Sequence, residues 1–153
     1  MAQIKFQIKN SGKGFTLIEL LVTIAIIGIL SAIILFAITQ YINKGKDSNI
    51  SGNLVILIPA GEVYYNNYGS YADFCGSPVV ENASDQIPHS SDESCHDSDT
   101  PGICCYIDSN GQEWAACAGL FSKPDKKAFC VDSRGVKKEI DKSACESPIT
   151  KCE

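Results

Sequence analysis

Hydrophobic and polar positions are unevenly spread along this chain. Residues 1–14 are mixed, with Lys5, Lys9 and Lys13 and no acid. From Leu20 to Ile38, nineteen residues pass without a charge. As a helix they would span about 28 Å, close to the roughly 30 Å hydrocarbon core of a bilayer, so one membrane helix is predicted here. Beyond Tyr41 the pattern becomes amphipathic. Ile50, Leu54, Leu57, Gly61, Tyr64 and Tyr68 recur at steps of three and four, the spacing of one helical face. The expectation is one long helix from about Phe15 to Tyr68. Its first half lies in the membrane, its second half packs on a globular domain, and Gly69 caps its end. Gly45, Gly52 and Pro59 weaken this helix. Pro59 removes one backbone hydrogen bond, to Val55, and should bend it; a true break near residues 43–53 is the alternative.

Residues 70–102, rich in Ser, Asp and Pro, read as a long loop. Two hairpin signals follow. In "ICCYIDSNGQEWAACAGL" the turn falls at Asn110–Gly111, and in "KKAFCVDSRGVKKEI" at Gly135. Together they predict a meander of about four antiparallel strands. The fold class is α+β: a long N-terminal helix, membrane-spanning in its first half, packed on a small antiparallel sheet.

Composition changes the picture in two ways. All eight cysteines lie between Cys75 and Cys152. An even count confined to the part beyond the membrane helix points to disulfides in an oxidising compartment. The candidates are Cys75, Cys95, Cys104, Cys105, Cys117, Cys130, Cys145 and Cys152. Charge is also segregated. Residues 47–122 hold eleven Asp and Glu and no Lys or Arg, while residues 123–153 hold eight basic and six acidic residues. The basic start before an apolar run keeps the N-terminus in the cytoplasm and sends the remainder across.

Glu19 stands at the head of the apolar run, where an ionised carboxylate needs a partner. A secretory signal is cut after its apolar core. Here the candidate junction, Gly14–Phe15, precedes the core, so cutting there removes only the leader and keeps the membrane helix. "KGFTLIELLVTIAIIGIL" resembles the class III signal of type IV pilins and of the pseudopilins of type II secretion and competence systems, over about residues 9–42. The resemblance implies cleavage by a prepilin peptidase after Gly14, N-methylation of Phe15, and an assembly role for Glu19. Cleavage creates a positive amine on Phe15, one helical turn from Glu19, and that amine can pair with Glu19 of the same subunit or of a neighbour. Many relatives carry a proline late in the apolar segment; none stands here.

The implied organisation is a leader (1–14), a transmembrane and filament-core helix (15–42), its amphipathic continuation (43–69), and a disulfide-bonded globular domain with an acidic loop and a β-meander (70–153). The implied function is a structural subunit of a type IV pilus or pilus-like filament. The alternative is a minor pilin, or a pseudopilin of a secretion or competence system. The implied partners are the peptidase, other pilin subunits in a homopolymer, and an inner-membrane assembly platform with its ATPase. The chain would reside in the cytoplasmic membrane before assembly and in a surface filament afterwards.

Cys104 and Cys105 are adjacent, so in a strand they point to opposite faces and should take different partners. Cys117 and Cys130 fall in successive predicted strands, where a bond between them is one option. Cys145–Cys152 is another, closing a C-terminal loop like the disulfide-bounded region of many pilins. Eight cysteines leave the connectivity open.

No catalytic frame is present, no enzyme activity is expected, and no cofactor. His89, Cys95, His96 and Cys104–Cys105 lack the paired spacing of a zinc knuckle. "DSNGQE" from Asp108 lacks the spaced acids of a calcium loop and reads as a hairpin turn. Lys123, Lys126, Lys127, Arg134, Lys137 and Lys138 form a modest basic cluster. It could meet DNA or an acidic neighbour, and a solvated hairpin face is the simpler reading.

Overall fold

A computed structural model describes residues 14–88, 102–123 and 126–153. The chain divides into two compact units, the first through Ile38 and the second from Thr39 to Glu153. Helix α1, Leu17–Tyr68, runs through the boundary without interruption. The continuous helix expected from periodicity is therefore present, and residues 43–53 are helical throughout.

In the first unit, α1 is apolar all round and its large side chains, from Leu17 to Leu35, are exposed. By length and composition, α1 is apolar and long enough to cross a membrane. Its backbone groups bond within the segment, as a bilayer demands.

In the second unit, α1 presents Ile50, Leu54, Leu57 and Gly61 to the core, all buried. Tyr68, placed on the same face by its spacing, is 70% exposed, because it stands at the last residue of the helix. Gly69 adopts φ +70°, and its N–H donates to the Tyr65 carbonyl at 2.7 Å. A residue with a Cβ is disfavoured in that left-handed conformation, which is why glycine ends the helix. The other close approach is Gly61. A Cβ there would lie 2.8–3.0 Å from three ring atoms of the buried Trp114. Gly61→Ala should thus lower stability by about 1–2 kcal/mol, since overpacking outweighs the roughly 1 kcal/mol gained in helix propensity. Thermal unfolding of the detergent-solubilised chain, followed by the fluorescence of its one tryptophan, measures this.

The segment read as a loop over 70–102 is more ordered than that. A 3₁₀ turn spans Phe74–Gly76 and helix α2 spans Pro78–Gln86. Ser77 and Pro78 occupy the N-cap and first helical positions, and Val80, Ala83, Ser84 and Ile87 are buried at helical spacing. The Ser- and Asp-rich composition concealed that short period.

Four strands follow: β1 (Cys104–Ile107), β2 (Trp114–Gly119), β3 (Lys127–Asp132) and β4 (Lys137–Asp141). They form one antiparallel sheet in the order β1-β2-β3-β4, the expected meander. A four-residue helix, α3 (Lys142–Cys145), comes after it and was not foreseen. The β1–β2 turn is built by Asp108. Its Oδ1 accepts the N–H groups of Gln112 and Glu113 at 2.6 and 2.7 Å, and its Oδ2 accepts that of Asn110 at 3.2 Å. The backbone N–H of Glu113, then those of Gln112 and Asn110, hold this carboxyl below the usual range against a smaller desolvation effect.

Alternation along the strands creates two cores. One face sends Cys105, Trp114, Ala116, Ala118 and Val131 against α1, Phe74 and Val80. The other sends Cys104, Tyr106, Ala115, Cys117, Ala128, Cys130 and Ile140 against Cys145 and Cys152. A sheet buried on both faces explains the small-residue run "WAACAG" in β2.

The disulfides follow from those faces. Cys75–Cys105 ties the 3₁₀ turn to β1 on the helix side. Cys117–Cys145 and Cys130–Cys152 bolt the C-terminal segment over the opposite side. The options of Cys117 with Cys130 and of Cys145 with Cys152 are thus corrected. Cys117 and Cys130 do stand opposite each other in register. Both point into the core covered by the C-terminal segment, and each bonds outward to it. Cys104 is also disulfide-bonded, and Cys95 lies outside the described residues. Each bridge closes 22 to 30 residues of sequence, worth about 3 kcal/mol apiece.

Candidate functional site

The residues singled out at the head of the apolar run sit at the start of α1. Gly14, Phe15 and Thr16 precede the helix without regular structure. Phe15 is 76% exposed. Lys13 and the rest of the leader lie outside the described residues. The Gly14–Phe15 peptide is therefore outside the helical hydrogen-bond ladder. Nothing stands within 4 Å of where a Cβ on Gly14 would be.

Glu19 is the third helical residue, and Thr16 is positioned as its N-cap. The Thr16 backbone N–H donates to Glu19 Oε2 at 2.9 Å, and the Thr16 hydroxyl donates to the same oxygen at 2.8 Å. In return the Glu19 N–H donates to Thr16 Oγ1 at 3.3 Å. This is a reciprocal capping box, in which two orphan N–H groups of the helix start are satisfied. Its negative charge also suits the positive end of the helix dipole. Sequence reasoning passed over Thr16. Its signal was available in the Thr-x-x-Glu spacing just before an apolar run. Among the described residues no donor reaches the second carboxylate oxygen, Oε1, which leaves it open to a further cation.

The other candidates separate from this site. Cys104, Cys117 and Cys145 bring their sulfurs within 4.8 Å of one another, and all three are in disulfides, so none offers a thiolate to a metal. His89 and His96 lie outside the described residues. Asp108, the first acid of the calcium-like stretch, directs both oxygens at its own turn. The basic cluster is half neutralised: Lys123 pairs with Glu139 at 2.7 Å, Lys127 with Asp141 at 2.8 Å and Arg134 with Asp132 at 2.6 Å.

Asp47 and Lys46 hold α1 to the sheet. Asp47 Oδ1 accepts the Phe121 N–H at 2.6 Å, and Lys46 Nζ lies 4.3 Å from the centre of the Phe121 ring. Neither was singled out from the sequence, because their partners are more than seventy residues away.

Comparison with known proteins finds a family match at the N-terminal segment and partial similarity to two pilins. Residues 9–35 match the family described as Prokaryotic N-terminal methylation motif. The chain is 58% identical over 45 residues to a type IV major alpha-pilin of Moraxella bovis, covering 29% of this chain and 28% of that protein. It is 39% identical over 62 residues to the type IV major pilin protein PilA of Myxococcus xanthus, covering 40% of this chain and 28% of that one. The chain thus matches under a third of the length of these relatives. No solved structure matches it.

Proposed function

We propose that this chain, similar in its N-terminal methylation motif to type IV pilins, is a structural subunit of a type IV pilus or pilus-like filament. One observation carries the reading: the long apolar stretch of α1 is exposed in the single chain, while the second unit buries a core of its own. Such a stripe, far beyond a few hundred Å², requires either lipid or other copies around it. A membrane satisfies it before assembly and neighbouring helices satisfy it afterwards.

In this reading a prepilin peptidase cuts Gly14–Phe15, and Phe15 becomes the methylated N-terminus. Residues 15–42 serve first as a membrane anchor and then as filament core. The new ammonium on Phe15 approaches Glu19 Oε1 of a neighbouring copy, because the capping box already occupies Oε2 with donors of its own chain. An assembly platform and its ATPase supply the work of extracting each subunit from lipid.

Mass spectrometry of sheared surface filaments tests the reading. The assembled chain should begin at Phe15 and carry one added methyl group. Assembled chain that retains residues 1–14 would sink the processing claim.

A further inference from the structure

The second unit gathers cations at one end of its stretch of α1, and backbone bonds build that end. Asp47 accepts the N–H groups of Phe121 and Ser122, which ties the β2–β3 connection to the helix just after Lys46. The Lys123 carbonyl accepts the N–H groups of Lys126 and Lys127 at 3.1 and 3.2 Å, and the Lys126 carbonyl accepts that of Lys142 at 3.1 Å. One edge thus holds Lys46, Lys123, Lys126, Lys127 and Lys142, with Lys44 two residues before Lys46 on α1. Glu139 and Asp141 pair with Lys123 and Lys127. The Asp47 carboxylate is turned to backbone N–H groups, and Asp125, the one acid of "KPDKK", lies outside the described residues. Lys44, Lys46, Lys126 and Lys142 form no ion pair among the described residues.

The other end of the same stretch is anionic. The Tyr71 hydroxyl donates to Glu62 at 3.5 Å, and the Tyr64 hydroxyl donates to the Ala72 carbonyl, next to Asp73. The Asp108 turn joins that end through the Tyr71 N–H, which donates to the Gly111 carbonyl. No Lys or Arg occurs anywhere in residues 47–122.

Lysines gathered on one edge repel one another, a cost that an anionic partner offsets. Position selects the partner. Lys44 and Lys46 come six and eight residues after Ile38, the end of the uncharged run. Six to eight helical residues cover about 9–12 Å. A headgroup layer is roughly 5–8 Å deep, the Debye length is about 8–10 Å, and a lysine can bend its ammonium back along its own stem. Tyr41, 73% exposed, stands where an interfacial aromatic belongs. No dissolved anion is held at such a distance by the chain itself.

We propose that this basic edge docks on anionic phospholipid headgroups while the chain is in the membrane, with Lys44, Lys46, Lys126 and Lys142 set against the phosphates. This rests on the membrane-anchor reading and deepens it: the cationic end of the second unit meets the bilayer, and its anionic end is repelled. Each lysine near an anionic surface strengthens such binding about fivefold.

The test uses the full chain reconstituted in phosphatidylcholine vesicles, with or without about a quarter phosphatidylglycerol, each lipid labelled in turn. Benzoylphenylalanine replaces Ser122 on the basic edge, Tyr68 at the far end of α1, or Leu30 in the apolar run. On irradiation the Ser122 position should crosslink to phosphatidylglycerol, at least fivefold above its yield with phosphatidylcholine alone. The triple change Lys44→Gln, Lys126→Gln and Lys142→Gln should lower that yield at least fivefold. The Tyr68 position should give no lipid adduct, and the Leu30 position should give one in both vesicles. A silent Ser122 position beside a reactive Leu30 overturns the docking and leaves the anchor standing. A Ser122 yield indifferent to lipid charge or to the lysine changes overturns the electrostatic recognition, as does an equal yield at Tyr68. A Leu30 position that never meets lipid overturns the anchor reading itself.

Discussion

Glu19→Gln is expected to leave cleavage after Gly14 intact and to lower the yield of assembled filament about thirtyfold, a loss of about 2 kcal/mol per subunit contact. Two effects act in the same direction. The amide is cheaper to keep in lipid than the carboxylate, so the membrane form gains stability. The amide also cannot form an ion pair with the Phe15 ammonium of a neighbour, so the filament loses a contact. Glutamine still fits the capping box with Thr16, because its side-chain oxygen can accept the Thr16 N–H now held by Glu19 Oε2. Helix initiation is thereby separated from charge. Glu19→Ala removes both, and should in addition fray the first turn at a cost of about 1 kcal/mol. Processed chain in membranes and chain in sheared filaments are compared by quantitative immunoblot. Normal filaments from Glu19→Gln would remove the intersubunit role.

Asp132→Ala should destabilise the second unit by on the order of 3 kcal/mol. Asp132 is fully buried at the end of β3. Its Oδ2 takes the Arg134 Nη2 at 2.6 Å, the Arg134 Nε at 3.1 Å and the Cys152 N–H at 3.0 Å. Its Oδ1 takes the N–H groups of Arg134 and Val136 at 3.0 and 3.2 Å. One carboxylate thus shapes the β3–β4 turn and anchors the C-terminal segment. Alanine would leave the buried Cys152 N–H without an acceptor, whereas water can reach the guanidinium, which is 45% exposed. The loss should appear as a lowered thermal midpoint with Cys130–Cys152 still formed, read by unfolding under non-reducing conditions.

The same carboxylate makes stability depend on pH. Burial pushes the Asp132 carboxyl up, and the Arg134 guanidinium with the N–H groups of Cys152, Val136 and Arg134 outweighs it, so the group lies below the usual carboxylate range. A depressed folded value means that its stabilisation is complete above the unfolded value of about 3.9 and is lost as pH falls through the folded one. Wild-type chain should therefore lose stability below about pH 4 more steeply than Asp132→Asn, which has no proton to gain there.

Much of this was legible in local pattern. Nineteen uncharged residues, the face at Ile50, Leu54, Leu57 and Gly61, and the glycines of two turns each act within a few residues of chain. Gly111 and Gly135 do adopt positive φ, +66° and +78°. Helix α2 was missed because two buried turns are too short a sample against a polar background. The Thr16–Glu19 box is local and carries its own Thr-x-x-Glu spacing, yet the same carboxylate is also an acid at the edge of an apolar run, and charge and spacing point to different roles.

The sequence by itself determined where the long helix and the four strands run, where the apolar stripe lies, and that cysteines beyond it would be bridged. Hydrophobic period and turn chemistry are short-range properties, and they survive without a fold. Tertiary structure alone decided that Cys117 and Cys130 each reach the C-terminal segment, that Gly61 must remain bare beneath Trp114, and that Asp132 gathers donors from Arg134 to Cys152. Those outcomes depend on which segment covers which face of the sheet. Segments far apart in sequence meet there only when the whole core closes.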